Sequence, residues 1–429
     1  MNLVEGKLWE REACDRLLPE LETRVTSTLA AGRLDPALVI RACDNLLREL
    51  DREDYISVAA GLGIERTLAD AYLKEAQRLF SADALTRRLE RELGEGWERA
   101  HSVETPAAQR AREYIRPLGV LLHIAAGNAD GLPAFSVLEG LLTGNINILK
   151  LPTAEGGLSV RLLRELIQKE PRLAPYIYVF EYSSRDVLQI RQLLKVADAA
   201  IVWGGEAAVT AIRQLAAPNT QIIEWGHKLS FAYVTAAGAT DSRLRGIARN
   251  IVHTRQLLCS SCQGIYVDTG DGVEVRAFCR RFLPLLEEET AAAGRVSDPG
   301  IGLQTALQVY TARLEEPCTG ATVFSGRGCS LLACQDARLE PGIGFQNAWV
   351  KPLPRERLLP TLRPYKNYLQ TVGLACGEEE FTGLWELFSR AGAVHICPGE
   401  AMSTTYVGAP HDGVYPLRRY SKIVTVEEA

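Results

Sequence analysis

From Pro117 onward, short apolar runs rich in β-branched residues alternate with helical stretches: GVLLHIA (119–125), INILK (146–150), YIYVF (176–180), AAIVW (199–203) and QIIE (221–224). Uninterrupted apolar runs of this length are strands covered on both faces, and helix-length spacers between them make a parallel sheet with crossover helices. Ligands of open parallel sheets sit beyond the carboxyl ends of the strands. The loops AAGNADG after the first strand, LKLPT after the second and WGGEAA after the fourth are therefore the candidate cradle. A second α/β stretch begins at about 226, with strand-like SFAYV (230–234), GIYVD (264–268) and AWVK (348–351), helical HTRQLL before the second of these and helical LPLLEEETAAAG after it. Residues 1–105 carry helix signals: Asp35 caps a helix starting at Pro36, with Leu38, Val39, Ala42, Leu46, Leu47 and Leu50 along one face. The expected organisation is a helical N-terminal segment (1–105) packed on a first α/β domain (106–225), a second α/β domain (226–395) and a C-terminal segment (396–429).

With 429 residues, the chain is too long for one small domain. Its 47% hydrophobic and 24% charged residues and net charge of -5 give no bias toward polyanions, which argues against a nucleic-acid partner. No apolar run approaches the roughly 18 to 20 residues needed to span a bilayer, and the N-terminus MNLVEGKLWEREACDRLL lacks a signal peptide's apolar segment. A cytoplasmic protein is expected, so the 10 scattered cysteines should be free thiols, most of them small core residues. PGIGFQN (341–347) and GAPHDGVYPLRRY (408–420) look like ordered surface loops, and there is no internal repeat.

Cys259 in LLCSSCQ joins a helical stretch to the strand GIYVD and is a candidate nucleophile; a cysteine beside leucines is more often buried filler. Cys259 and Cys262 form a CxxC, but no second pair or His pair at ligand spacing follows, so no metal site is expected. Glu224 ends an apolar strand in QIIEWGHK, where a raised pKa would suit a general acid or base; the alternative is a solvated strand-end carboxylate. Asn128 could donate to a developing oxyanion, or serve only as a turn residue. Lys150 closes the second strand within reach of a ribose or phosphate, and Gly204 and Gly205 would admit a diphosphate at a helix start. No G-x-G-x-x-G follows a strand, so glycines alone do not establish a dinucleotide site.

Read in order, PLGVLLHIAAGNADGLPAFSVLEGLLTGNINILKLPT, WGGEAAV, IIEWGHKLSFAYV and CSSCQ resemble the motif series of the aldehyde dehydrogenase superfamily. Within it the chain is most similar to the LuxC-type fatty acyl-CoA reductases, which share the HIAxGN loop, the WGG turn, the CSS segment and a terminal stretch like HDGVYPLRR. The similarity covers about 106–423. It implies an aldehyde dehydrogenase-like α/β fold with two parallel-sheet domains, the first binding a nicotinamide cofactor and the second carrying the nucleophile. Cys259 would be the acyl-accepting nucleophile, Asn128 the oxyanion donor and Glu224 the general base. Lys150 would hold the adenosine ribose or its 2'-phosphate, and Gly204 and Gly205 would lie near the diphosphate. Thr153 stands where many NAD-preferring relatives carry a glutamate, so the resemblance favours NADPH and leaves NADH open. Cys262 replaces a proline that often follows CSS, which keeps two thiols as candidates, with Cys259 the better match. EWGHK replaces ELGGK, with His227 in place of a glycine.

The implied reaction is reduction of an acyl thioester, carried by coenzyme A or by a protein, to an aldehyde through an acyl-cysteine. An acyl-protein synthetase of LuxE type is an implied partner, and a homo-oligomer is expected, although the β-hairpin that commonly mediates it is not evident in the sequence. Two other readings are an aldehyde dehydrogenase forming acid from aldehyde, and a non-catalytic scaffold that binds a partner.

Overall fold

The run after Pro117 becomes the strand Val120–Ile124, buried along its whole length, and a seven-stranded sheet extends from it in both directions. Ile146–Leu151 and Ile177–Glu181 follow on one side, Ala199–Trp203 and Gln221–Trp225 on the other, every pair parallel. The helices Leu132–Leu142, Leu158–Lys169, Val187–Val196 and Glu206–Leu215 make the crossovers. Both faces are covered, which is why these strands read as continuous apolar runs: Ile146 and Ile148 pack among one set of buried residues, Leu149 and Leu151 among another. The strand order reverses at Val120–Ile124, so the loops leaving Ile124 and Trp203 flank the switch point where ligands of such sheets bind.

This computed structural model describes residues 1–61, 66–104, 110–125, 132–152, 157–293 and 299–428, which form two compact units, Met1–Gly226 with Tyr406–Ala429, and His227–Thr405. In the first unit the helix Pro36–Glu49 is capped by the Asp35 carboxylate, which accepts from the Ala37 N–H, and it buries Val39, Ala42, Cys43 and Leu46. The N-terminal stretch is not wholly helical, however. Asn2–Val4 and Lys7–Trp9 form a hairpin across a turn with Glu5 (φ 50°) and Gly6 (φ 78°), and Asn2–Val4 extends the first sheet antiparallel to Ile177–Glu181. Leu3 and Val4 are fully buried. An antiparallel sheet that is not evident in the sequence is also present. His101–Glu104 pairs with Arg110–Pro117, and Ser421–Glu428 adds a third antiparallel strand. Four of the eight residues of RAREYIRP are charged, which hides the strand in the sequence, and this sheet leaves Val103, Ile423, Val424 and Val426 exposed.

The second unit is another seven-stranded sheet, in the order Thr322–Ser325, Ser330–Ala333, Asn347–Pro352, Cys262–Val267, Leu229–Val234, Leu369–Ala375 and His395–Pro398. Only the outermost pair, Thr322–Ser325 with Ser330–Ala333, is antiparallel. Residue 395 does not end this unit, because His395–Pro398 is its edge strand and the unit runs on to Thr405. Arg255–Leu258 is not helical as expected: the helix Asp241–Thr254 stops where Arg255 turns left-handed. None of the described helices is long and apolar enough to cross a membrane.

Candidate active site

The segment between Thr254 and the strand Cys262–Val267 opens with two consecutive left-handed residues, Arg255 (φ 50°) and Gln256 (φ 60°). Neither is glycine, so the turn costs conformational energy that its surroundings must offset. A second left-handed pair, Phe345 (φ 50°) and Gln346 (φ 67°), lies against it, with the Phe345 N–H donating to the Arg255 carbonyl at 3.2 Å. The buried Gln256 amide donates to the carbonyls of Cys262 (3.0 Å) and Asn347 (3.3 Å), and the Gln256 carbonyl accepts from Gln263 Nε2 at 2.8 Å.

CSSC itself is held by side chains from around the sheet. Asn250, on the buried face of the helix Asp241–Thr254, accepts from the Cys262 N–H at 2.9 Å and donates to Ser403 Oγ at 3.0 Å. Ser260 donates to the same hydroxyl at 3.2 Å. Ser261 Oγ accepts from the Leu258 N–H at 3.0 Å. Ser230 donates to the Cys259 carbonyl at 2.6 Å and accepts from the Thr371 N–H at 3.0 Å. At the sulfur, Gln370 Nε2 donates to Cys259 Sγ at 3.2 Å.

All 10 cysteines are free thiols; seven are buried, Cys334 is half-buried, and Cys259 and Cys318 alone are exposed. Cys262 is fully buried, donates to the Gly264 carbonyl at 3.2 Å, and has its pKa pushed up to about 12 by burial. At neutral pH it is a thiol without access to a substrate, whereas Cys259 sits on the surface of its unit with its sulfur facing a hydrogen-bond donor.

In the first unit, Lys150 is buried at the carboxyl end of Ile146–Leu151; desolvation lowers the pKa of its amine, with the charge of Asp186 acting in the opposite direction. A buried cation at a strand end suits an anionic or hydroxyl-bearing ligand. Gly204 (φ 156°) follows Trp203, and Gly205 is the N-cap of Glu206–Leu215. A Cβ on Gly205 would meet nothing within 4 Å, so the helix start is open to a ligand. Asn128 and Thr153 lie outside the described residues.

Glu224 differs from expectation in its surroundings. Along Gln221–Trp225, Ile223 and Trp225 are buried on one face, while Glu224 shares the other with Ile222. Its carboxylate is half-exposed and ion-paired with Arg213 of the neighbouring helix, not set in the apolar pocket suggested by Trp225.

The sequence reading missed a polar and aromatic cluster in the first unit. His123, fully buried in the first strand, donates from Nε2 to Asn147 Oδ1 at 3.0 Å and accepts from Ser136 Oγ at 2.7 Å. Trp203 Nε1 donates to the same serine at 3.1 Å, which fixes the indole just ahead of Gly204. Gly140 makes room for this chain, since a Cβ there would fall 1.8 Å from Asn147 Oδ1. His411 packs against Trp203 and Trp225, with centroids at 5.4 and 4.8 Å, and the Arg419 guanidinium covers Trp225. The signal was a histidine inside an otherwise apolar buried strand, which must find partners. Gln370, Asn250 and Gln256 had no such marker.

A model of the family described as acyl-CoA reductase (LuxC) matches residues 37–423. The long-chain acyl-protein thioester reductase 2 of Photobacterium leiognathi is 26% identical over 329 residues, covering 73% of this chain and 66% of that protein. The long-chain acyl-protein thioester reductase of Aliivibrio fischeri is 24% identical over 330 residues, covering 73% and 65%. The chain thus spans just under two thirds of the length of these curated relatives. Among solved structures, lactaldehyde dehydrogenase from Escherichia coli superposes with a TM-score of 0.67 at 16% identity, covering 97% of this chain and 90% of that one. An NAD-dependent benzaldehyde dehydrogenase from Corynebacterium glutamicum gives 0.70 at 14%, covering 96% and 89%. The fold is that of the aldehyde dehydrogenases.

Proposed function

This chain belongs to the acyl-CoA reductase (LuxC) family, and from that premise we propose that it reduces an acyl thioester to an aldehyde through an acyl-cysteine on Cys259. The observation that carries the proposal is the contrast between two thiols three residues apart: Cys262 is sealed and protonated, while Cys259 is exposed on an anchored loop. A nucleophile needs access and a fixed direction of attack, and only Cys259 has both.

Lys150 would hold the ribose or 2'-phosphate of the cofactor, and Gly204 and Gly205 would lie beside its diphosphate; the burial of Lys150 and the open space at Gly205 fit those groups. NADPH is the proposed form, on the Thr153 identity. When bound, the reduced nicotinamide supplies hydride. Cys259 attacks the thioester carbonyl and its backbone N–H, with the Asn128 amide, steadies the oxyanion as the thiol carrier leaves. Glu224 would manage the proton that accompanies aldehyde release, which requires it to leave Arg213.

The long-chain acyl-protein reductases it resembles suggest a long-chain acyl group carried by coenzyme A or by a synthetase partner. We also propose a homo-oligomer built on the exposed apolar residues of the three-stranded sheet, to be read by light scattering. The first experiment follows cofactor absorbance with acyl-CoAs of several lengths and NADPH or NADH, for the wild type and Cys259→Ala. Turnover lost in the variant supports the reading. Aldehyde oxidation to acid without coenzyme A would favour a dehydrogenase, and inactivity in every arm, synthetase partner included, would favour a scaffold.

A further inference from the structure

Gln370 is the second residue of Leu369–Ala375, a strand buried from end to end, and is itself only 6% exposed. Its side chain therefore has little freedom, and its Nε2 donates to Cys259 Sγ at 3.2 Å. The next residue, Thr371, gives its N–H to Ser230 Oγ, which in turn donates to the Cys259 carbonyl. Two successive residues of one rigid strand thus hold Cys259 at both ends, the backbone through Ser230 and the sulfur directly. A thiol sulfur is a weak acceptor and a thiolate a strong one, so a donor fixed on the sulfur favours the ionised form.

We infer that Gln370 is a further catalytic residue: its side-chain N–H holds Cys259 Sγ in the ionised, attacking form. The inference rests on the reading of Cys259 as the acyl acceptor. Ionisation breaks the S–H bond, the proton passes to solvent and the electron pair stays on sulfur. Attack then forms the S–C bond to the acyl carbon, and the bond from that carbon to the carrier sulfur breaks, the carrier leaving as a thiolate. The sulfur's orientation toward Gln370 also fixes its direction of approach.

The test is the pH dependence of iodoacetamide labelling in the full chain, read on the Cys259 peptide by mass spectrometry, for the wild type, Gln370→Leu and Gln370→Glu. Removing the donor should raise the labelling midpoint by about one pH unit, and a carboxylate in its place should raise it at least as far. Buried Cys262 reports folding in the same sample, because rapid labelling there marks an unfolded variant. If Gln370→Leu unfolds, Gln370→Met, which is near in volume and removes the donor without adding a charge, decides in its place. An unchanged midpoint in a folded variant overturns the inference. Labelling needs no acyl substrate, so the two ideas fail separately. A raised midpoint alongside full reductase turnover in Cys259→Ala would support the hydrogen bond's effect on the sulfur and overturn the acyl-cysteine reading.

Discussion

At Cys259 and Cys262 the same side chain meets two different surroundings: Cys262 is sealed in the core, while Cys259 is exposed on a loop held by Ser230 and Gln370. Cys259→Ala should abolish thioester reduction, by about 10³-fold or more, because no neighbouring thiol can substitute. Cys262→Ala should instead leave turnover within about threefold and cost roughly 1–2 kcal/mol of stability, the small cavity of a buried sulfur. Steady-state rates and urea unfolding on the two variants separate these outcomes; a dead Cys262→Ala that unfolds normally would reverse the assignment. Glu224 is a harder case, because its pair with Arg213 holds the carboxylate away from any proton-transfer task. If it is the proton carrier, Glu224→Gln should lower turnover about 10²-fold, and Arg213→Met should move the pH–rate profile while leaving Glu224 in place. A Glu224→Gln variant with wild-type rates would leave the carboxylate as a surface ion pair.

At the scale of elements, the central parallel strands were legible because they are sealed on both faces and therefore continuous in sequence, as in Val120–Ile124 and Ala199–Trp203. The Pro36–Glu49 helix announced its own cap and apolar stripe. Elements fixed by distant partners were not legible. Asn2–Val4 is three residues long and joins the sheet through the distant Ile177–Glu181, and Arg110–Pro117 has a partner in Ser421–Glu428 at the far end of the chain. For the site, CSSC marked two candidate thiols in the sequence, but nothing there marked the scaffold around them. Gln370, Asn250 and Ser403 converge on it from three separate elements, and no local pattern records that. Gln256 is the test of this scaffold. Gln256→Met keeps the volume but leaves the Cys262 and Asn347 carbonyls without their donor, so a loss of about 2–3 kcal/mol is expected in urea unfolding. A loss below about 0.5 kcal/mol would mean that the left-handed turn is held by its neighbours without this amide.

Over the whole molecule, the first unit depends on both ends of the chain. The Leu417 N–H donates to the fully buried Glu92 carboxylate at 2.8 Å, and buried Tyr420 accepts from Trp225 Nε1 at 3.3 Å. The same unit contains His123, which sets part of its response to acid. Burial lowers the imidazole pKa from 6.5 to about 4, so the native state holds it neutral where the unfolded chain would protonate. The unfolded state then binds more protons between pH 6.5 and 4, and stability must fall as pH drops through that window. With those two values the contribution lost between pH 7 and pH 5 is about 2 kcal/mol. The measurement is a difference, which isolates this one side chain: urea unfolding of the wild type and His123→Gln at both pH values. The variant gives up buried hydrogen bonds at pH 7 and pays no protonation cost at pH 5, so its deficit should shrink by about 2 kcal/mol between them. An equal deficit at the two pH values would mean that His123 takes up a proton inside the fold, with Ser136 turning to accept it.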